Sequence, residues 1–241
     1  LTPFEINVAN YEENRHFFLG HYFRERYDKA MSTLPNITTG VKITRVEVWA
    51  TNKTGTTSNT RNIVALTDRG EGRNVKNPLW GGAGDVAPSN GANTEYYAMT
   101  HDYVAARDID QTNTVLDAIG GFVGGVDYEK VQSARLLSPS EYTVNTALGY
   151  ISLKTTLQTD QVLAVAYEYT LNGQTFQVGE FASDNTNTGE AIFVKSLKNT
   201  SNNPMMGNWR LMIKNVYFLA STVEKTKFRL DVKYQSDTSG V

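Results

Sequence analysis

Asn172-Gly173 lies between two runs of alternating residues, and that dipeptide constrains the fold more than any other feature of the chain. A two-residue type I′ turn needs positive φ at both central positions, which Asn and Gly tolerate best, so Asn-Gly flanked by alternation predicts a β-hairpin. Before the turn, Val162, Ala164, Ala166 and Glu168 share one side and Leu163, Val165, Tyr167 and Tyr169 the other. A strand that is apolar on both sides belongs in a sheet covered on both faces. A second hairpin precedes it: Tyr142 and Val144 alternate with polar neighbours, a turn ends at Gly149, and Ile151 and Leu153 resume the alternation. Glu141 to Glu180 therefore reads as antiparallel sheet.

Helical periodicity is strongest near the N-terminus. Leu19, Phe23, Tyr27 and Ala30 form an i, i+4, i+8, i+11 stripe within Asn10 to Met31, and Pro35 ends the segment. Val41 to Thr51 alternates but changes phase between Ile43 and Val46, which predicts a strand with a bulge near Thr44 or Arg45. Asn62 to Thr67 is a further strand. From Asp68 to Gly91 the pattern dissolves into Gly, Asn and Pro, a long irregular loop, and Thr94 to Ala106 and Thr112 to Ile119 are short helices. The glycines of Gly120 to Gly125 separate this stretch from the hairpins. Apolar runs follow at Ala191 to Leu197 and Trp209 to Leu219, and Phe228, Leu230, Val232 and Tyr234 alternate as a half-buried strand.

The fold class this implies is mainly β (α+β): an antiparallel β-sandwich with an N-terminal helix, a helical insertion and a β-hairpin module. Four segments follow from it. Residues 1–35 are the N-terminal helical segment, 36–69 with 176–241 the sandwich core, 70–125 the loop and short-helix insertion, and 126–175 the hairpin module. At 241 residues the chain is long enough to bury a substantial core. Its net charge of −2 leaves no electrostatic footprint for nucleic acid. With no cysteine, disulfides and thiolate chemistry are excluded. No run of about 18 apolar residues provides a membrane-spanning helix. The first residue is Leu1, and no apolar export signal stands at the start, so any such signal lies outside this sequence.

Candidate chemistry is sparse. His16 and His21 are five apart, about 140° of rotation at ~3.6 residues per turn, so they cannot share a metal on one helix; Glu12 and His16, four apart, are a two-ligand start without a third. Asp184 to Glu190 (DNTNTGE) has oxygen side chains at alternate positions and a glycine at the sixth, like the first half of a calcium loop, but the twelfth position is Lys195 where a carboxylate is needed. Asp108 and Asp110 are a second cation candidate, read more simply as helix-start residues. Glu47 and Glu180 would have to face one cleft to hydrolyse a glycoside, and Glu47, between Val46 and Val48, reads as solvent-facing. Serine has no histidine partner that spacing can place. The expectation is a protein with no catalytic, metal or cofactor site. Trp80, Tyr96, Tyr97 and Tyr103 form the one candidate interaction surface, an aromatic patch for sugar or peptide.

Several long phrases carry a resemblance. Glu141 to Glu180, with ITRVEVWATN (Ile43–Asn52), TRNIVALTDRGE (Thr60–Glu71), SARLLSPSEYTVN (Ser133–Asn145) and NWRLMIKNVYFL (Asn208–Leu219), resembles the SprA/Sov family. These are the very large outer-membrane translocon subunits of the type IX secretion and gliding-motility machinery of Bacteroidetes. Family members are far longer than this chain, so the resemblance implies one excised domain, not itself membrane-spanning, of a Gram-negative outer-membrane protein. It also implies secretion-system components and secreted cargo as partners, a periplasmic or cell-surface position, and a role as pore cap, gate or docking surface. No motif of the family assigns a role to a particular residue here. The fold class alone supports a second reading, a cell-surface carbohydrate- or peptide-binding β-sandwich.

Overall fold

The computed structural model describes residues 4–233 apart from 202, 225 and 227. In chain order the elements are β1 (His16–Phe18), α1 (His21–Met31), β2 (Val41–Ala50), β3 (Thr60–Leu66), α2 (Glu95–His101), α3 (Thr112–Ile119), β4 (Tyr128–Leu136), β5 (Tyr142–Asn145), β6 (Tyr150–Leu153), β7 (Leu163–Leu171), β8 (Gln174–Val178) and β9 (Ile192–Lys198). Single 3-10 helices run over Val104–Arg107 and Gly207–Leu211. Strand outweighs helix, as the sequence implies.

The main sheet runs β2-β4-β3-β9-β7-β8, and β7 also pairs with β2, so five strands close on themselves and β8 extends β7 outside the ring. This closed barrel stands where a sandwich of two facing sheets was expected. The physical reason lies in β7. It pairs along its length with β2, from Val41↔Leu171 to Ala50↔Leu163, and shares its other edge between β9 and β8. A strand apolar on both faces needs a layer on each side, and a barrel wall provides one inside and one outside. β3 and β9 pair in parallel, Ile63↔Ile192 to Leu66↔Lys195, and every other pairing between named strands is antiparallel. β4 and β7, read as parts of a hairpin module, both supply barrel staves.

Three apolar compartments follow. Inside the barrel, Trp49, Ile63, Ala65, Ala164, Val194 and Phe181 pack together. On one outer face α1 and a small sheet, β1-β6-β5, cover Val48, Val165, Tyr167 and Tyr169. On the other, α2, α3 and Trp80 cover Val64, Leu66 and Phe193.

Local readings hold in several places. The bulge falls between Ile43 and Arg45. Asn172 and Gly173 have φ of 50° and 86° and join Leu171 to its partner Gln174, as a type I′ turn requires. The first hairpin is β5–β6, and at its Gly149 a Cβ would come within 2.5 Å of the Phe23 ring. The N-terminal helix is shorter than expected. His16-Phe17-Phe18 is a strand paired to β6, Gly20 is extended, and only 21–31 is helical, with Phe23, Tyr27 and Ala30 still facing the core. Phe17 and Phe18 are consecutive and both buried, as a strand covered on both faces allows.

At the other end, Trp209–Leu219 is a 3-10 turn followed by a segment that runs beside β1. Met212 bridges Phe17, Ile213 N–H donates to His16 O (2.9 Å), and Glu12 N–H donates to Val216 O (2.8 Å). The strand expected from Phe228 to Tyr234 is not formed over 228–233, where Phe228, Leu230 and Val232 are 42, 60 and 91% exposed; Tyr234 lies outside the described residues.

Candidate functional site

β3 ends at Leu66 and the chain passes at once into Thr67-Asp68-Arg69-Gly70-Glu71, between the two outer compartments. Asp68, Arg69 and Glu71 are buried there, with Glu95 at the start of α2 and Lys195 on the outer face of β9. Charges are rarely fully buried unless paired, so the question is what satisfies each.

Lys195 Nζ donates to Thr67 O (2.5 Å) and pairs with Glu71 Oε1 (3.1 Å). That same oxygen accepts the His21 N–H (3.2 Å), so Glu71 caps the N-terminus of α1, whose own N-cap, Gly20, has no side chain to do so. A Cβ on Gly20 would sit 3.2 Å from Glu71 Oε1 and 3.4 Å from the Tyr167 hydroxyl, which is why the chain can approach this closely. His21 Nε2 lies 2.9 Å from Gly207 O and acts as the donor. Burial pulls the His21 pKa down, against the charge of Glu71.

Asp68 Oδ2 accepts from the N–H groups of Lys76 (3.0 Å) and Asn77 (2.8 Å), and burial pushes its pKa up. Asn93 stitches the loop: its Nδ2 donates to Asp68 O (2.8 Å) and Glu71 O (3.0 Å), and its Oδ1 accepts the Glu95 N–H (3.0 Å). Arg69 lies 5.1 Å from the ring centre of Tyr96 and 5.8 Å from that of Phe193. Its Nε is 3.8 Å from Glu95 Oε2, too long for a hydrogen bond. Burial pushes the Glu95 carboxyl up to about 7, with Arg69 opposing. Beside them Arg107 donates to both oxygens of Glu180 (2.8 and 2.6 Å) and stacks on Phe193.

This cluster ties α1, α2 and the 67–95 loop to the barrel wall. Its three acids, Asp68, Glu71 and Glu95, outnumber its two bases, Arg69 and Lys195, and all five are closed off from solvent. The arrangement is a clamp in which Lys195, Glu71 and Asp68 are committed to each other and to the main chain, while the guanidinium nitrogens of Arg69 and both carboxyl oxygens of Glu95 are buried with no hydrogen-bond partner among the described residues.

The predicted aromatic patch is not one surface. Trp80 is buried and meets Phe122 edge-to-face at 5.6 Å, Tyr103 packs on the same core, and Tyr96 flanks Arg69. Tyr97 alone is displayed, 62% exposed and stacked on His101 at 4.1 Å. Tyr97 does not line the open groove of about 400 Å³ formed by Val104, Ala105, Arg107, Asp108, Gln111 and Glu190.

The cation candidates are occupied from within. Arg61 enters the 182–190 loop and donates to the carbonyls of Asn185 (2.7 Å), Asn187, Ala182 and Glu190, while Arg45 takes the Asp184 carboxylate at 2.7 and 2.9 Å. Asp108 Oδ1 accepts the Asp110 N–H (3.0 Å), a local turn. Glu12 and His16 do meet, at 3.0 Å, though His16 opens β1 and Glu12 lies in the chain before it, and His16 turns its other nitrogen to Ser152. Among the described residues no group of three or more acids and histidines is placed to hold a metal. Glu47 is not turned freely to solvent, since it accepts the Ala182 N–H at 2.8 Å.

The clamp was missed by sequence reading. Its signal was a single lysine, Lys195, inside the apolar run Ala191 to Leu197, where a charge needs a partner. No family model matches the chain, and no curated protein matches it.

Proposed function

We infer that this chain is a non-catalytic domain of an outer-membrane protein-secretion translocon of the SprA/Sov type. It serves as a pore cap, gate or docking surface for cargo or partner subunits, on the periplasmic or cell-surface side of the outer membrane. The phrases that resemble the family fall on β2, on β3 with the first clamp residues, on the end of β4 with β5, and on the segment beside β1. No helix among the described residues is long and apolar enough to cross a membrane.

The observation that carries the docking role is an apolar surface made by both end segments. Phe4 stacks on Phe228 at 6.0 Å and Tyr217 donates to Val8 O (3.0 Å), and on the same segments Val8, Phe218, Leu230 and Val232 are 60% exposed or more. Contiguous exposed apolar surface marks a protein contact more often than a solvated face. Immobilised domain should retain secretion-system components or cargo, and Phe218→Ser with Leu230→Ser should abolish retention while leaving the melting temperature unchanged. Retention undiminished by both substitutions would remove this reading.

The alternative, a carbohydrate- or peptide-binding surface module, is favoured by Tyr97, exposed and stacked on His101, and separately by the open groove at Val104 and Glu190. Glycan or peptide binding that Tyr97→Ala abolishes would support it instead.

A further inference from the structure

The chain contains two Asn-Gly pairs, Asn90-Gly91 and Asn172-Gly173, in opposite circumstances. Asn90 is clamped: its Oδ1 accepts the Gly179 N–H (2.8 Å), its Nδ2 donates to Gly179 O (3.3 Å), and its own N–H donates to Gln177 O (2.7 Å). Asn172 is exposed at the tip of the β7–β8 hairpin, and so are Gly173, Gln174 and Thr175. Its main-chain N–H donates to Gly40 O at 3.2 Å and its side chain rests against Gly40, with no side-chain hydrogen bond among the described residues. Open space surrounds Gly173, with nothing within 4 Å of where a Cβ would stand.

We propose that Asn172 is a site of spontaneous, structure-gated deamidation and that Asn90 is protected. The Gly173 amide nitrogen attacks Asn172 Cγ, the new C–N bond closes a five-membered succinimide, and the side-chain amide leaves as ammonia carrying the Gly173 proton. Water then opens the ring at either carbonyl, giving aspartate or an isoaspartyl linkage. Closing the ring requires Asn172 to leave the φ of 50° that the tight turn imposes, so the reaction proceeds through brief opening of the hairpin tip. That tip is a local, low-cost fluctuation because β8 is an edge strand. An isoaspartyl linkage adds a methylene to the main chain, and the Leu171↔Gln174 closure cannot survive it. β8 then peels from Tyr167–Leu171 and leaves an open sheet edge, the kind of surface that pairs with other chains.

The test is incubation of the folded protein in mildly alkaline buffer for days, followed by peptide mapping with isoaspartate-specific detection, beside a urea-unfolded sample. In the folded protein Asn172 should convert several-fold faster than Asn90, and in urea the two rates should converge. Converted molecules should also lose amide protection in Gln174–Val178 while keeping it in β3. Equal rates in the folded protein, faster conversion at Asn90, or an intact Asn172 under conditions that convert it in urea would overturn the proposal.

Discussion

Arg69 and Glu95 illustrate how a buried pair can be asymmetric. Arg69 cannot shed its charge, whereas Glu95 can take up a proton. Glu95→Leu, which strands the guanidinium between Tyr96 and Phe193, should therefore cost about 3–5 kcal/mol, the usual effect of removing one partner of a buried pair. Arg69→Met should cost less, because Glu95 neutralises itself. The double variant should recover most of the loss, since an apolar pair of similar size fits a dry site. Denaturant unfolding of the three variants checks this, and equal losses in the two single variants would count against it. The same residue predicts a pH dependence. Between its ordinary value of 4.5 and about 7, Glu95 holds a proton in the folded chain that the unfolded chain has released, so its contribution to stability falls as pH rises through that window. His21, with its lowered pKa, acts in the opposite sense below about 6.5, destabilising as pH falls. Subtracting the profile of Glu95→Gln isolates the first effect: the wild-type advantage should shrink with rising pH by up to ~1.4 kcal/mol per unit. A flat difference would contradict the burial of a carboxyl there.

Among the elements, the β7–β8 hairpin was legible because its turn chemistry is local, and it provides a clean test. Gly173→Val should destabilise by about 1–2 kcal/mol through positive φ alone, since no atom crowds the site. An unchanged unfolding midpoint would mean that the turn relaxes to another type. The 68–125 segment behaves differently from its irregular sequence. It reads as an excisable surface insertion, yet it carries Arg69, Glu71 and Glu95 of the clamp, and its apolar residues cover Val64, Leu66 and Phe193 on the barrel wall. Its removal should abolish cooperative unfolding of the remainder. A deletion variant that melts like the parent would show that the clamp joins nothing essential.

For the molecule as a whole, the phase change at Thr44, both hairpins and the mainly β class could be read because each is written in neighbouring residues. Barrel closure could not, because it depends on Val41–Ala50 meeting Leu163–Leu171 more than a hundred positions later. The candidate patch failed for a related reason: Trp80, Tyr96, Tyr97 and Tyr103 are close in sequence but divide between core and surface. The C-terminal strand reading fails as well, since Phe228, Leu230 and Val232 alternate in sequence but pair with no strand among the described residues and are exposed. That row is where the functional reading is most exposed to test. Photo-crosslinking residues placed at Phe218 or Leu230 in the full-length protein in cells should form adducts with secretion-system subunits or exported cargo, with none from a control at Gln132 on the barrel. Adducts from Tyr97 in place of Phe218 and Leu230, or none from any position, would contradict docking through the end segments.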